Sequence, residues 1–163
     1  MKKQISKWIL YNILVCFTVY WLSNVILWYP WSMNERLGQI LMLTINPILW
    51  GYASYNCIIR FPKENILLGI LLNSLIFEIV AIGSDLLFFA AIRNAMDKLM
   101  QPTTIYGWVF VFIFPFVFYL LFRKRIIKNK KKLEKTDFLI PLYIGVISFA
   151  SIVIIMVFNI KFY

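Results

Sequence analysis

Histidine is absent from the chain, which removes the commonest metal ligand and the usual general base together. Ser-His hydrolysis and the paired-histidine zinc protease motif are excluded with it. Cysteine is scarce: Cys16 and Cys57 stand far apart with no Cys-x-x-Cys spacing, so neither a thiol-disulfide exchanger nor a zinc site has its minimum ligands. Both read as small apolar residues. Acidic residues are few as well, seven in 163 positions, and charge of either sign makes up 15% of the chain, against about 25% for a soluble domain. Internal repeats, heptads and low-complexity tracts are missing, and the short connectors leave no room for a separate catalytic domain. Neither a cofactor nor a metal is implied.

What the chain has instead is apolar length. Hydrophobic residues make up 62% and the mean hydropathy is +0.80. A helix crossing a hydrocarbon core of about 30 Å needs about 20 residues, and five segments meet that length. The spacing predicts spans over 8–29, 37–59, 66–85, 106–122 and 138–160. The first is closed by Pro30 beside the aromatic cluster Trp28, Tyr29 and Trp31, which suits headgroup depth. It begins like a secretory signal, but it is longer than a signal core and no small-x-small cleavage site follows, so it is expected to be retained. Ile13-Leu-Val-Cys16 is likewise a poor lipoprotein box, because Val15 stands where a small residue is needed. The second span ends at Arg60, Pro62 and Lys63. The third apolar run continues to Ile92, too long for the core as one upright helix. Asp85 is the expected exit, with 86–100 along the interface as an amphipathic turn or two. The fourth carries Phe110, Phe112, Phe114, Phe116 and Phe118, a strand-like alternation. In lipid a lone strand leaves its backbone unsatisfied, so helix is expected there too.

Orientation follows from the basic residues. Lys2, Lys3, Lys7, Arg60, Lys63 and the eight in 123–135 fall on one side, while Arg36, Arg93, Lys98 and Lys161 fall on the other. The positive-inside rule then puts the N-terminus in the cytoplasm and the C-terminus outside. The expected fold is all-α: one polytopic five-span membrane bundle over residues 1–163, with a basic cytoplasmic loop at 123–135. A composition rich in Lys, Ile and aromatics points to an AT-rich bacterial genome and so to the bacterial cytoplasmic membrane.

Within the spans, polar residues mark candidate sites. Glu78 lies about 18 Å into its span, where an ionised carboxylate costs kilocalories unless paired or wetted. It is expected to be largely protonated at neutral pH unless a cation or an arginine approaches. Ser74 and Asp85 share its helix face, which is expected to point into the bundle. Asp85, near the exit, is within reach of headgroups or water. Asn46-Pro47 breaks the second span near its middle and frees a carbonyl; such a kink either lines a path, as in transporters, or simply packs. Asn46 and Asn73 are expected to form a hydrogen-bond cluster gluing spans two and three. Ile82-Gly-Ser-Asp85 resembles in passing the Gly-x-Gly-Asp of intramembrane aspartyl proteases, but the second membrane aspartate that chemistry requires is missing, since Asp97 and Asp137 lie in connectors.

The basic cluster of Arg123, Lys124, Arg125, Lys128, Lys130, Lys131, Lys132 and Lys135 is the orientation anchor. It also suits anionic lipid headgroups, at about 1 kcal/mol for each basic residue near the surface, or an acidic cytoplasmic partner. It does not form a nucleic-acid motif, and no nucleic-acid partner is expected. The leading expectation is a non-catalytic accessory or binding subunit, working through a membrane-protein partner or a second copy of itself. The alternative is a small carrier or channel element with Glu78 as its proton- or cation-binding carboxyl.

Overall fold

A computed structural model describes residues 2–158, and every regular element in it is helical. The chain forms α1 (Lys2–Ser23), α2 (Tyr29–Met33), α3 (Glu35–Ile59), α4 (Ile66–Leu86), α5 (Pro102–Lys128) and α6 (Leu139–Val157). Four helices among the described residues are long and apolar enough to cross a membrane: Lys3–Met33, Ile66–Ile92, Pro102–Lys128 and Thr136–Val157. Such helices are the signature of a multi-pass membrane protein. The expected second span, 37–59, is helical within α3 but is not among the four, because Gln39, Asn46, Pro47 and Asn56 dilute its apolar character.

Several boundaries differ from the sequence reading. The first helix does not close at Pro30. A π-helical turn over Asn24–Trp28 leads into α2, so Pro30 sits in the first turn of a new helix, where its missing N–H is tolerated. The break comes at Asn34, whose side chain caps α3 by accepting from Leu37 N at 3.1 Å. Likewise the third helix runs past Asp85 as a π-helical stretch, Leu87–Ile92. It ends where Asn94 takes a positive φ of 48°, the left-handed stop at which asparagine often replaces glycine. The expected interfacial segment 86–100 is therefore helix for its first half. Nor is 123–135 all loop: α5 continues through Lys128, with a non-helical Phe122 (φ −117°, ψ 19°) where the apolar part meets the basic part. Positions 159 and 160 of the expected fifth span, and Lys161, lie outside the described residues.

The alternating phenylalanines resolve into two ladders at i, i+4. Phe110, Phe114, Phe118 and Phe122 stack in succession at 4.7, 6.2 and 4.6 Å, and Phe112 meets Phe116 at 6.1 Å. Helical periodicity sets each ladder on its own flank of the helix, as four-residue spacing requires.

α1 is the central post. Half of its most apolar stretch is buried, against 17% for α5 and for α6. Its neighbours are aligned in register. Against α4, Asn12 meets Asn73, Cys16 meets Phe77 and Tyr20 meets Asp85, so the two helices run parallel. Against α3, Trp8 donates to Cys57 O at 2.8 Å while Ser23 reaches Asn46, so those two run antiparallel. α6 packs parallel to α1, with Tyr11 against Phe138 and Phe17 and Trp21 against Phe149. The close approach there needs Gly145, since a Cβ would come within 2.8 Å of Thr18 Oγ1. α5 lies against α3 and α4 on the far side from α6.

Candidate functional site

Four clusters of polar groups lie in or at the ends of this apolar bundle. The first joins α1 to α4 on their facing sides: Asn73 Nδ2 donates to Asn12 Oδ1 at 2.6 Å, and Asn12 Nδ2 donates back to Trp8 O at 2.8 Å. Both asparagines have no exposed surface. Interhelical amide pairs of this sort hold membrane helices together because hydrocarbon offers them no other partner.

The second cluster ties three helices near the end away from the basic segment. Asp85 of α4 accepts from the Tyr20 hydroxyl of α1 on Oδ1 and from Trp108 Nε1 of α5 on Oδ2, the latter at 2.6 Å. Each carboxyl oxygen thus takes one donor, from a different neighbouring helix. Both α1 and α4 pass into their π-helical stretches within a few residues of this contact. The third joins α1 to α3, with Ser23 Oγ donating to Asn46 Oδ1 at 3.2 Å.

Asn46 and Asn73 do not contact each other across spans two and three as the sequence suggested. Each is bonded to α1 instead, because α1 lies against both α3 and α4. Sequence reasoning also missed Asn12, Tyr20, Ser23 and Trp108. For Asn12 a signal was present, a polar amide deep in an apolar run, the same mark that singled out Asn73. Tyr20 and Trp108 carry no such mark in an aromatic-rich chain, and only their alignment with Asp85 gives their polar tips a role.

Glu78 and Ser74 stand apart from these ties. Ser74 is fully buried and Glu78 half-buried; Ser74 Oγ and Glu78 Oε2 are buried with no hydrogen-bond partner among the described residues. Of the three residues expected on one helix face, Asp85 is therefore bonded into the bundle, and the other two present oxygens to it without a donor. Neither Asp97 nor Asp137 approaches as a second acid, and among the described residues no group of three Asp, Glu or Cys is arranged to hold a metal ion.

At the opposite end the basic segment is strapped down as a fourth cluster. Arg60 Nη2 pairs with Asp137 Oδ1 at 2.8 Å, Nη1 bonds Asn56 Oδ1 at 2.8 Å, and the guanidinium lies over the Tyr11 ring. Lys131 N donates to Ile59 O at 2.9 Å and Lys130 Nζ to Lys63 O at 2.7 Å. Arg123, Lys124, Arg125, Lys128, Lys130, Lys131, Lys132 and Lys135 all remain exposed. A fixed strap thus presents a dense field of positive charge.

No family model, curated protein or solved structure matches this chain. Its function has to be argued from these contacts.

Proposed function

We propose that this is a non-catalytic five-span protein of the bacterial cytoplasmic membrane, acting as an accessory or binding subunit through its lipid-embedded faces. The observation that carries the reading is where the interior polar groups go. Asn12, Tyr20, Ser23, Asn46, Asn73, Asp85 and Trp108 are bonded helix to helix, which suits a rigid post rather than a polar path. Meanwhile α5 and α6 turn rows of large apolar side chains outward, among them Val109, Ile113 and Leu120 on one and Ile140, Val146 and Ile147 on the other. Lipid, a membrane-protein partner or a second copy of the chain would cover those rows.

The direction of the helices supports five crossings rather than four. If α1 and α4 both cross and run parallel, the chain must return between them, and α3, antiparallel to α1, supplies that return. Its polar side chains have partners: Asn46 accepts from Ser23 of α1, Asn56 donates to Tyr52 O and accepts from Arg60, and Gln39 donates to Glu35. The exposed basic strap then favours a cytoplasmic N-terminus and contact with anionic headgroups.

A second reading, a proton or cation carrier, draws on the unpartnered oxygens of Glu78 and Ser74. Proteoliposomes under an imposed pH gradient separate the two. The accessory reading expects wild type and Glu78→Gln to leak no faster than protein-free vesicles. Flux in the wild type that Glu78→Gln abolishes would replace it with the carrier reading.

A further inference from the structure

Between α3 and α5, on the outer flank of the bundle, two cavities meet end to end. One, of about 410 Å³, is lined wholly by apolar surface, including Pro47, Ile48, Gly51, Phe114, Val117 and Leu121. The other, of about 260 Å³, shares the Phe118 and Phe122 rings with the first and adds Tyr52, Tyr55 and Arg125. Both helices have an irregularity along the groove: Pro47 lacks the N–H for the hydrogen-bond ladder of α3, and Phe122 leaves helical geometry in α5. Gly51 lets the Phe118 ring lie against the α3 backbone as the floor, where a Cβ would come within 2.8 Å of it.

The groove has a length and a polarity. From Phe114 to Arg125 is eleven residues of helix, about 16 Å at 1.5 Å each, or about half of a 30 Å hydrocarbon core. It is therefore about one leaflet deep. Its inner part is apolar, and its outer end carries a guanidinium and two phenols, with Arg123, Lys124 and Lys128 exposed within one turn of Arg125. A guanidinium matches a phosphate through paired N–H donors, and tyrosine suits the boundary between chain and headgroup.

We propose that this groove binds one anionic phospholipid, its phosphate at Arg125, Tyr52 and Tyr55 and an acyl chain along Gly51, Phe114, Val117 and Leu121. The inference rests on the membrane-embedded reading above and adds to the diffuse attraction of the basic strap a shaped site with a floor.

The test is native mass spectrometry of the full chain, titrated with phosphatidylglycerol and with phosphatidylcholine of the same acyl composition. Wild type should retain phosphatidylglycerol preferentially. Arg125→Gln should lower that retention about fivefold, the equivalent of about 1 kcal/mol for one basic contact, and narrow the preference. Val117→Trp, which plugs the apolar slot from its exposed side, should weaken both lipids. Leu121→Trp, more exposed still, is the second plug should the first disturb folding. Lys135→Gln, on the strap and outside the groove, should change nothing. Retention that falls equally for Lys135→Gln and Arg125→Gln, or that ignores both plugs, would overturn the site. Release of the chain from membranes by alkaline carbonate would instead overturn the membrane-embedded reading itself.

Discussion

The tie at Asp85 gives a measurable energy. Tyr20→Phe removes one donor from its carboxylate and Trp108→Phe the other, with little change in ring packing. A hydrogen bond to a charged group is worth about 1.5 to 3 kcal/mol in water-soluble proteins, whereas interhelical bonds within membranes average about 0.6 and reach about 1.7 kcal/mol. Asp85 is half-buried, so water relieves part of each loss, and about 1 kcal/mol per donor is expected. The donors reach different oxygens, so the double substitution should cost about the sum of the singles. In an Asp85→Leu background the same substitutions lose their acceptor, and Tyr20→Phe should become neutral or mildly stabilising, because it then removes a stranded hydroxyl. Reversible unfolding in mixed micelles, followed by far-ultraviolet circular dichroism, reads these differences without depending on the altered aromatic residues. A coupling energy between Tyr20 and Asp85 below about 0.3 kcal/mol, the scatter of independent sites, would refute the three-helix tie.

The buried amide pair should behave in the opposite way under double substitution. Asn12→Leu or Asn73→Leu alone strands an amide and should cost about 1 to 3 kcal/mol, while the double leucine variant should recover most of it; a double variant as unstable as the sum would show that the pair is not a unit. Gly145→Ala should lower the unfolding midpoint by overpacking Thr18 and Phe17, about 1 to 3 kcal/mol, whereas Gly107→Ala, with nothing within 4 Å of its added Cβ, should be neutral or stabilising by up to about 1 kcal/mol. Equal effects at the two glycines would contradict the α1–α6 contact. Arg60→Met should free Asp137 and the strap, so trypsin should cut 129–135 several times faster than in wild type. An unchanged rate would mean the ion pair does not hold the segment.

Helicity, the approximate extent of the long apolar segments and the gathering of positive charge at one end were all readable from the chain itself. Each follows from local chemistry: hydrocarbon lengths near twenty residues, the backbone's need for internal partners in lipid, and the placement of lysine and arginine in connectors. Even the alternating phenylalanines yielded to that reasoning. Boundaries were less legible, because π-helical turns at Asn24–Trp28 and Leu87–Ile92 carry helices past Pro30 and Asp85, and such turns have no compositional mark. Periodicity says that Ser74, Glu78 and Asp85 lie on one flank, but it is silent about which helix lies opposite. Packing settles that: with α1 at the centre, Asn46, Asn73 and Asp85 all find partners on it, Asp85 finds another on α5, and Glu78 Oε2 finds none among the described residues. Neighbours brought together across 23 to 65 residues of chain are a property of the assembled bundle, since no span read alone contains both halves of an interhelical bond.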